Sequence, residues 1–430
     1  MRLDGTKTLV VGMEKSGHAS AAFLRAHGAD VTTTDIKPRD LPGFRVQNHE
    51  LFGEDWELIV LSPGVPADLE PLQQARARGV DVIGEIELAA PFLRGKTIGI
   101  TGSNGKTTTT SLVGHILRSA GVAAQVGGNI GTPVIAMAES SRDNQWNVLE
   151  LSSFQLETAR TFRAHIGVCL NVTQNHLDRH RTMENYIAAK GNLFRMQLPG
   201  SHAVLNAGDA VCRSFAEMTV ADKTWFSRAD IRKSQVWLGE NPLLALSEIP
   251  IPGPHNAENV MAAAHVAALA GVPLEDIAAA VRTFKAVEHR LEFTAAIGGV
   301  RFYNDSKATS VDAAMKAIDS FDGGLWVIMG GTDKGSDYTV MRERLRARAH
   351  AVLLIGAAAE KITTQLDGAV RLIQCGTLER AVAEAFGSAR PGDTVLLAPA
   401  CSSFDQFLNY EQRGQVFKQL VKDLKHGAAA

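Results

Sequence analysis

The chain reads Gly99-Ile100-Thr101-Gly102-Ser103-Asn104-Gly105-Lys106-Thr107-Thr108 between a short apolar run and a helix-like segment at residues 111–117. A strand, a glycine-rich turn, Gly-Lys-Thr and a helix in this order predict a site for nucleotide phosphates. The glycines allow successive backbone N–H groups to point at phosphate oxygens, and the helix N-terminus adds the positive end of its dipole. Lys106 is expected to reach the terminal phosphates, and the Thr107 hydroxyl to bind the accompanying Mg²⁺.

One position departs from the strict phosphate-loop pattern, since Ile100 stands where that pattern has its first glycine. The plain alternative is a tight turn with a surface lysine. Strand and helix both fall where a phosphate site needs them, so we favour the nucleotide site. The residues of this predicted site are Gly102, Ser103, Asn104, Gly105, Lys106, Thr107 and Thr108.

Composition places the chain among ordinary globular proteins. It has 430 residues, 45% of them hydrophobic, and its 44 Lys and Arg residues nearly balance 46 Asp and Glu residues. This length predicts about two to four domains. The charge balance provides no broad field that would attract nucleic acid or an anionic membrane, so an anionic ligand must be held by local groups.

Cysteine usage and the N-terminus both indicate the cytoplasm. Four cysteines lie far apart without a Cys-x-x-Cys spacing, which is typical of reduced structural thiols. The N-terminus lacks the apolar run of a signal peptide, and no segment reaches about 18 uninterrupted apolar residues. We therefore expect a cytoplasmic monomer that binds neither membrane nor nucleic acid.

The first 93 residues predict an α/β domain. Residues 7–35 indicate a strand, a helix and a second strand that ends in Asp35, with Gly12-Met13-Glu14-Lys15-Ser16-Gly17 as the first turn. A dinucleotide fold needs glycine where Glu14 stands, because the pyrophosphate approaches the backbone closely there. This departure argues against NAD, although not against every nucleotide. Further strand and turn signals extend the domain over residues 1–93.

A carboxylate and two histidines follow strands of the next predicted domain. Glu150 ends an apolar strand and is predicted to hold Mg²⁺ directly or through water; the alternative is a glutamate that faces solvent. Spacing alone is equally compatible with a metal site or a polar loop at His176, Asp178 and His180. Lys190 is interpreted from its surroundings as a solvated helix lysine.

This second domain is expected to span residues 94–286. Near its end an alanine-rich helix is predicted, with Asn256 as its N-cap, because a side-chain oxygen there can accept a hydrogen bond from the first turn. A second helix over residues 274–284 completes the domain.

A third α/β domain is predicted over residues 287–430. Its five apolar strands are mostly separated by helical runs, which is typical of a parallel sheet of Rossmann type. Polar loops follow three of the strands, at residues 304–309, 330–334 and 401–405. Ligands of open α/β sheets bind beyond the carboxyl ends of strands, so these loops predict a binding edge. The expected fold class is therefore α/β with three domains: a Rossmann-like N-terminal domain, a central P-loop-type ATP-binding domain and a Rossmann-like C-terminal domain.

Four stretches together resemble the Mur ligases of peptidoglycan synthesis, and the resemblance spans all three domains. They are residues 101–107, 150–157 (Glu-Leu-Ser-Ser-Phe-Gln-Leu-Glu), 304–309 (Asn-Asp-Ser-Lys-Ala-Thr) and 399–414 (Pro-Ala-Cys to Arg-Gly). The Ser-Ser-Phe-Gln part resembles the members that add D-glutamate. The resemblance implies that ATP phosphorylates the L-alanine carboxylate of UDP-MurNAc-L-Ala, and that the amine of D-glutamate then attacks the acyl phosphate. The implied partners are thus small molecules, with two Mg²⁺ ions as cofactors.

The resemblance also implies roles for residues of the second domain. Lys106 would hold the β- and γ-phosphates of ATP. Thr107 and Glu150 would bind one Mg²⁺, and His176 would bind a second together with Lys190 that has been N-carboxylated by CO₂. In that role Lys190 is a metal ligand and not a solvated lysine. The implied catalytic residues are Lys106, His176 and Lys190.

Larger sets of residues are implied to bind the substrates. ATP would also meet Asn256, Asn259, Arg290, Asp305 and Lys307. Uridine and its diphosphate would meet Lys15, Ser16, Asp35, Ile36 and Lys37. The reacting end of UDP-MurNAc-L-Ala would meet Asn129, Ser152 and His176. D-Glutamate would meet Thr309, Lys334, Ser403, Phe404 and Tyr410, with Lys334 pairing a carboxylate.

Two alternative functions use the same motifs. A P-loop ATPase or switch shares the phosphate loop and Glu150, but it gives no role to the polar loops of the third domain. A sister ligase would add another amino acid, or glutamate to folate. Phosphate release distinguishes the three, because only a D-glutamate ligase needs both UDP-MurNAc-L-Ala and D-glutamate to release it.

Overall fold

A computed structural model of the chain describes residues 1–285 and 287–427. These residues form three mainly parallel β-sheets covered by helices, and one small antiparallel sheet. The predicted three-domain α/β fold class is confirmed. By compactness the chain divides into two units, Met1–Leu246 with Glu258–Arg282 and Ser247–Ala257 with Thr283–Ala430. The first unit contains the first two parallel sheets, and the second unit contains the third.

The first sheet has five parallel strands in the order β3-β2-β1-β4-β5. The chain order reverses between β1 and β4, which opens a crevice at their carboxyl ends, where such sheets bind ligands. The elements are β1 (Lys7–Val11), α1 (Lys15–Ala26), β2 (Asp30–Asp35), β3 (Phe44–Val46), β4 (Leu58–Leu61), α2 (Glu70–Ala77), β5 (Asp81–Gly84) and α3 (Glu85–Ala89).

The second sheet has six parallel strands in the order β11-β10-β9-β6-β8-β7. Its central strands β6, β8 and β9 are buried almost along their whole length, as expected of a parallel sheet covered on both faces. The elements are β6 (Lys96–Thr101), α4 (Lys106–Ser119), β7 (Ala124–Gly128), α5 (Val134–Ala138), β8 (Trp146–Glu150), α6 (Ser153–Glu157), β9 (Ile166–Cys169), α7 (Leu177–His180), α8 (Met183–Arg195), β10 (His202–Asn206), α9 (Ala210–Ser214) and β11 (Asp222–Phe226).

A small antiparallel sheet and two helices follow the second sheet. They are β12 (Ile231–Arg232), β13 (Gln235–Leu238), β14 (Asn241–Ala245), α10 (Pro254–Leu269) and α11 (Leu274–Thr283). The prediction that Asn256 is an N-cap is wrong, because α10 already begins at Pro254. Proline suits a first helical position, since its fixed φ fits the helix and its missing N–H has no partner there anyway. Asn256 instead lies within the first turn, and its Nδ2 donates to the Pro252 carbonyl at 2.6 Å.

The third sheet has six strands in the order β15-β16-β20-β17-β18-β19. The five predicted strands are parallel, and β15 adds an antiparallel edge strand that was not predicted. The elements are β15 (Glu292–Ile297), β16 (Val300–Asn304), α12 (Val311–Ile318), β17 (Leu325–Gly330), α13 (Arg342–Arg348), β18 (Ala349–Ile355), α14 (Ala359–Leu366), β19 (Arg371–Gly376), α15 (Leu378–Ser388), β20 (Thr394–Leu397) and α16 (Tyr410–Gly427).

The three polar loops predicted to form a binding edge follow β16, β17 and β20. These strands are neighbours in the sheet, with β20 between the other two. Because they are parallel, their carboxyl ends lie at the same edge, and the sheet brings the three loops together. Across residues 1–285 and 287–427, none of the helices has both the length and the apolar character needed to cross a membrane.

Candidate active site

The phosphate loop connects β6 to α4 at the carboxyl edge of the second sheet. Gly105 precedes α4 with a φ of 85°, and a Cβ at that position would lie 2.3 Å from Asn259 Oδ1. The left-handed backbone favours glycine here, and any larger residue would displace the Asn259 side chain. The loop after β9 holds the phosphate loop in place, since Ser103 N donates to the Asn171 carbonyl and Asn104 N donates to Asn171 Oδ1. These bonds hold the loop in a fixed conformation, and Asn259 lies beside it.

Lys106 begins α4, and its side chain folds back onto the phosphate loop. Its Nζ donates to the carbonyls of Gly102 and Ser103, each at 2.9 Å. A phosphate at the loop would offer this ammonium stronger, charged acceptors. Thr107, which follows it, is buried in the first turn of α4.

Glu150 is a buried carboxylate at the end of β8, one strand away from the phosphate loop. It is 2% exposed, so the alternative of a solvent-facing glutamate is wrong. Its Oε1 accepts a hydrogen bond from Asn129 Nδ2 at 2.9 Å, whereas its Oε2 has no hydrogen-bond partner among the residues that the structure describes. A buried carboxylate oxygen without a donor is costly unless a cation or another donor reaches it. Glu150 therefore fits the predicted Mg²⁺ ligand.

Lys190 is buried beneath the phosphate loop and is not solvated. It is 1% exposed, and its Nζ donates to the Gly102 carbonyl at 2.9 Å, the same carbonyl that Lys106 contacts. The interpretation as a solvated lysine is wrong because α8 turns this face toward β6. Desolvation, followed by the charge of Lys106, lowers the pKa of Lys190 to about 7. A substantial fraction of this amine is therefore neutral near pH 7, as reaction with CO₂ would require.

The two candidate metal-ligand histidines, His176 and His180, differ in their surroundings. His176 precedes α7 with a φ of 54°, and its ring lies 4.9 Å from that of Phe154. His180 is buried, and its Nε2 shares a hydrogen bond with Ser153 Oγ at 2.9 Å. The side chain of Asp178 is outside the described part of the chain. Among the side chains that are described, no group of three or more His, Cys, Asp or Glu residues is arranged to hold a metal.

Ser152 caps the short helix α6, which follows Glu150. Its Oγ accepts from Gln155 N, and Gln155 Oε1 accepts from Ser152 N at 3.0 Å, so the two residues form a capping box. This local bonding explains part of the Ser-Ser-Phe-Gln stretch. It also fixes Ser152 at the same sheet edge as Asn129 and Glu150.

The crevice of the first sheet gathers the residues predicted to bind uridine diphosphate. Asp35 ends β2 beneath the first turn, where its Oδ2 accepts from Met13 N at 2.8 Å and its Oδ1 accepts from Lys37 N at 3.1 Å. Lys15 begins α1, Ser16 follows it, and Ile36 is exposed. Sequence reasoning missed Arg39, which bridges Asp35 and Glu14. The only available signal was its position four residues after Asp35.

Asn304 and Asp305 are buried where β16 ends. Asn304 Nδ2 donates to Glu292 Oε2 at 3.0 Å, which ties β16 to the unpredicted strand β15. Desolvation raises the pKa of Asp305 to about 6, although the charges of Arg290 and Lys307 and a hydrogen bond from Leu291 N oppose that rise. The structure thus brings Arg290, Asp305 and Lys307 together in the second compact unit, which also contains Asn256.

Arg413 joins two of the polar loops of the third sheet, and sequence reasoning gave it no role. It is 1% exposed, and desolvation lowers its pKa to about 10. Its Nε donates to Ser306 Oγ at 2.9 Å, and its Nη2 donates to the carbonyls of Ser306 and Cys401 at 2.8 and 3.2 Å. A planar guanidinium can bond to two loops at once, which a lysine ammonium cannot do with the same geometry.

The residues predicted to bind D-glutamate lie on these loops and on α16. Ser403 is buried, and its Oγ has no hydrogen-bond partner within the described residues. Phe404 and Lys334 are exposed, Thr309 is half-buried, and Tyr410 begins α16. The sheet therefore brings the set to one edge, with the Ser403 hydroxyl available for a ligand.

We expect Arg413→Lys to loosen the loops at residues 305–310 and 400–405. The ammonium keeps the positive charge but leaves several of the Ser306 and Cys401 oxygens without donors, so these loops should open more often. Hydrogen–deuterium exchange followed by mass spectrometry should show roughly tenfold faster exchange there. Arg344→Lys, which changes an exposed partner of Asp319, is the control and should leave both loops unchanged. Unaltered exchange in Arg413→Lys would remove the proposed bridging role.

Comparisons with known proteins agree with this geometry. Residues 100–267 match the Mur ligase middle domain, and residues 289–401 match the domain described as Mur ligase, glutamate ligase domain. A protein of Solibacter usitatus is 62% identical over 440 residues, covering 99% of each chain, and one of Acidobacterium capsulatum is 54% identical, covering 100% of this chain and 98% of the relative.

Two solved structures share the fold at 18% sequence identity. The UDP-N-acetylmuramate-alanine ligase of Thermotoga maritima superposes with a TM-score of 0.63 and covers 97% of this chain and 100% of its own. A pseudomurein peptide ligase type C of Methanothermus fervidus superposes with a TM-score of 0.60 and covers 98% of this chain and 100% of its own.

The matched domains, together with a phosphate loop on a buried parallel sheet and two further α/β sheets, make this an ATP-dependent ligase, and the chain belongs to the Mur ligase family. Within that family, both full-length relatives named above are UDP-N-acetylmuramoylalanine–D-glutamate ligases. ATP and Mg²⁺ are the nucleotide and the metal that this family uses.

Proposed function

We propose that this chain joins D-glutamate to UDP-N-acetylmuramoyl-L-alanine in an ATP-dependent reaction of peptidoglycan synthesis. The observation that carries the proposal is the 62% identity, over 99% of both chains, to a UDP-N-acetylmuramoylalanine–D-glutamate ligase. The geometry also supports it through the phosphate loop before α4, the unpartnered Glu150 oxygen and the unpartnered Ser403 hydroxyl. The reaction uses small molecules only, and it fits a cytoplasmic monomer.

The chemistry of acyl phosphate formation explains the residue types at the phosphate loop. A carboxylate is a poor acyl donor, and its phosphorylation supplies a good leaving group. Because the carboxylate and the γ-phosphate are both anions, cations must offset their repulsion as they approach. Lys106 would move from the loop carbonyls to the β- and γ-phosphates, while Asn129 keeps the Glu150 carboxylate oriented toward the metal.

Mg²⁺ supplies charge neutralisation of the phosphates when it is bound. We assign one ion to Thr107 and Glu150, and a second to His176 and an N-carboxylated Lys190. Carboxylation converts a buried cation into an anionic oxygen ligand, and the lowered pKa of Lys190 supports it, because only the neutral amine attacks CO₂. The backbone amides of the loop and the N-terminus of α4 would bind the phosphates.

The substrates are assigned by sheet. Uridine diphosphate is proposed to bind in the crevice of the first sheet, at Lys15, Ser16, Asp35, Ile36 and Lys37. The reacting L-alanine end is assigned to Asn129, Ser152 and His176. D-Glutamate is assigned to Thr309, Lys334, Ser403, Phe404 and Tyr410 at the carboxyl edge of the third sheet. Asn256, Asn259, Arg290, Asp305 and Lys307 remain the predicted ATP contacts outside the phosphate loop.

Phosphate release tests the function directly. With Mg²⁺ and ATP, we expect phosphate release only when UDP-N-acetylmuramoyl-L-alanine and D-glutamate are both present, with one new amide bond formed per phosphate. Release at a comparable rate with ATP alone would support an ATPase. Release with another amino acid, or with a folate in place of the UDP-sugar peptide, would support a sister ligase. Either result would contradict the proposal.

A further inference from the structure

Two carboxylates on α3 are buried against the second sheet domain, and neither belongs to the predicted site. Glu85 is 2% exposed and Glu87 is 5% exposed. Both lie on α3, a five-residue helix that follows β5 of the first sheet. The apolar residues of α3 share one core with those of α5 and α6. Burying a carboxylate is costly, so each must be bonded to something specific.

Glu87 bonds to a single segment. Its carboxylate accepts hydrogen bonds from the backbone N–H groups of Arg160 and Thr161 at 2.8 Å and of Phe162 at 3.2 Å, and from the Thr161 hydroxyl. This segment precedes β9 and contains none of the residues assigned to a substrate. Glu87 therefore holds one loop of the second domain against the first.

Glu85 interacts with two segments, α5 and α6, which follow the predicted substrate residues Asn129 and Ser152 in the chain. Its Oε1 accepts from Ile135 N at 2.7 Å, in the first turn of α5. Desolvation raises the pKa of Glu85 to about 7, although the Ile135 N–H and the Gln155 side chain oppose that rise. Its Oε2 has no hydrogen-bond partner in the described chain.

Local hydrogen bonds within each segment hold the neighbouring site residue in place. The turn before α5 is closed by Gly128 N, which donates to the Thr132 carbonyl at 2.8 Å, and it carries Asn129, the partner of Glu150. On the other side, Gln155 Oε1 accepts from the backbone N and the hydroxyl of Ser152. Glu85 thus interacts with the segments that directly follow the Asn129 turn and the Ser152 turn.

We propose that Glu85 is a positioning residue that fixes the Asn129 and Ser152 turns for the reacting end of the acyl substrate. The inference rests on the proposed function, because it takes these turns to contact the L-alanine end. It also means that the first domain, which is proposed to bind the uridine diphosphate, sets the geometry at the other end of the same substrate. Misplacing a reacting group by about 1 Å can cost on the order of 100-fold in rate.

Comparing two ligands separates positioning from general stability. UDP should bind through the first sheet alone, whereas UDP-N-acetylmuramoyl-L-alanine should gain further affinity from the Asn129 and Ser152 turns. Calorimetric dissociation constants for both ligands give this gain as a ratio. A variant that is partly unfolded changes the number of binding sites but not the ratio.

In Glu85→Ala we expect the ratio to shrink about tenfold and kcat to fall by a comparable factor, with the dissociation constant of UDP within about twofold of the wild-type value. Glu87→Gln is the matched control on the same helix, and it should keep both the ratio and kcat. Glu85→Gln retains one acceptor oxygen and should give values between those of wild type and alanine.

Two outcomes would overturn the inference. The first is a folded Glu85→Ala with a wild-type ratio. The second, which decides the matter if alanine does not fold, is a Glu85→Gln whose ratio and kcat equal those of Glu87→Gln. A wild-type chain that binds the sugar peptide no more tightly than UDP, and makes no amide, would instead contradict the proposed function itself.

Discussion

Lys106→Ala is expected to lower kcat by about 1,000-fold or more, because an ammonium that neutralises the transferring phosphoryl group acts most strongly in the transition state. Its Nζ lies within 2.9 Å of two loop carbonyls, so it is already at the loop where the phosphates would bind. Turnover is measured by phosphate release at saturating substrates. Binding of UDP should persist, because its proposed site is on the first sheet.

Lys96→Ala is the matched control for this variant. Lys96 begins the same strand, β6, at the end opposite the phosphate loop, and its Nζ lies 5.3 Å from the centre of the Trp146 ring. We expect this exposed substitution to leave kcat within about twofold. A Lys106→Ala enzyme with more than about a tenth of wild-type kcat would contradict the phosphate role, and loss of UDP binding in the folded variant would contradict the assignment of UDP to the first sheet.

The second large effect is expected at Lys190. If the N-carboxylated side chain is a metal ligand, Lys190→Ala should lower kcat by about 100-fold or more, because the site loses an anionic ligand where phosphate charge develops. Acetate or formate should restore part of the activity, since a free carboxylate can occupy the space of the missing carbamate. Lys190→Arg should stay inactive with these anions, because it fills the space with a permanent cation.

Measuring activity with and without dissolved CO₂ at two pH values provides an independent test of the carboxylation of Lys190. Because the pKa of Lys190 is lowered to about 7, its amine is mainly protonated at pH 6 and mainly neutral at pH 8. Only the neutral form reacts with CO₂, so dissolved CO₂ should have a larger effect on activity at pH 6 than at pH 8. Lys190→Ala that keeps nearly full activity, or that does not respond to acetate and formate, would contradict the carboxylated ligand.

Local pattern was sufficient to predict most of the architecture. Apolar strands of parallel sheets and glycine-rich turns depend on residues close together in the sequence, so the strand before the phosphate loop, the loop and α4 were all predicted from one stretch. The polar loops of the third sheet were found in the same way. That they lie at one edge followed from the general rule for parallel strands, whereas the neighbouring order of their strands was found only in the structure.

Burial was much harder to predict. Lys190 looks like a surface residue in the sequence, and it is buried because α8 packs against β6, about ninety residues away in the chain. Arg413 and Glu85 gave no local signal for their roles, since their partners lie in other segments. The strand β15 was missed because it is an antiparallel edge strand that ends in a hairpin, and its pattern is half exposed.

The amino-acid sequence by itself determined the three α/β domains, the phosphate loop and the kind of ligand it suits, because strand pattern, glycine turns and the Gly-Lys-Thr motif act over a few residues. Only the tertiary structure decided which charged groups lose their water and what they bond to instead. Those contacts join segments that are up to about a hundred residues apart, as between Ser306 and Arg413. Desolvation depends on everything packed around a charged group, and it sets the pKa of Lys190 and isolates the Glu150 oxygen.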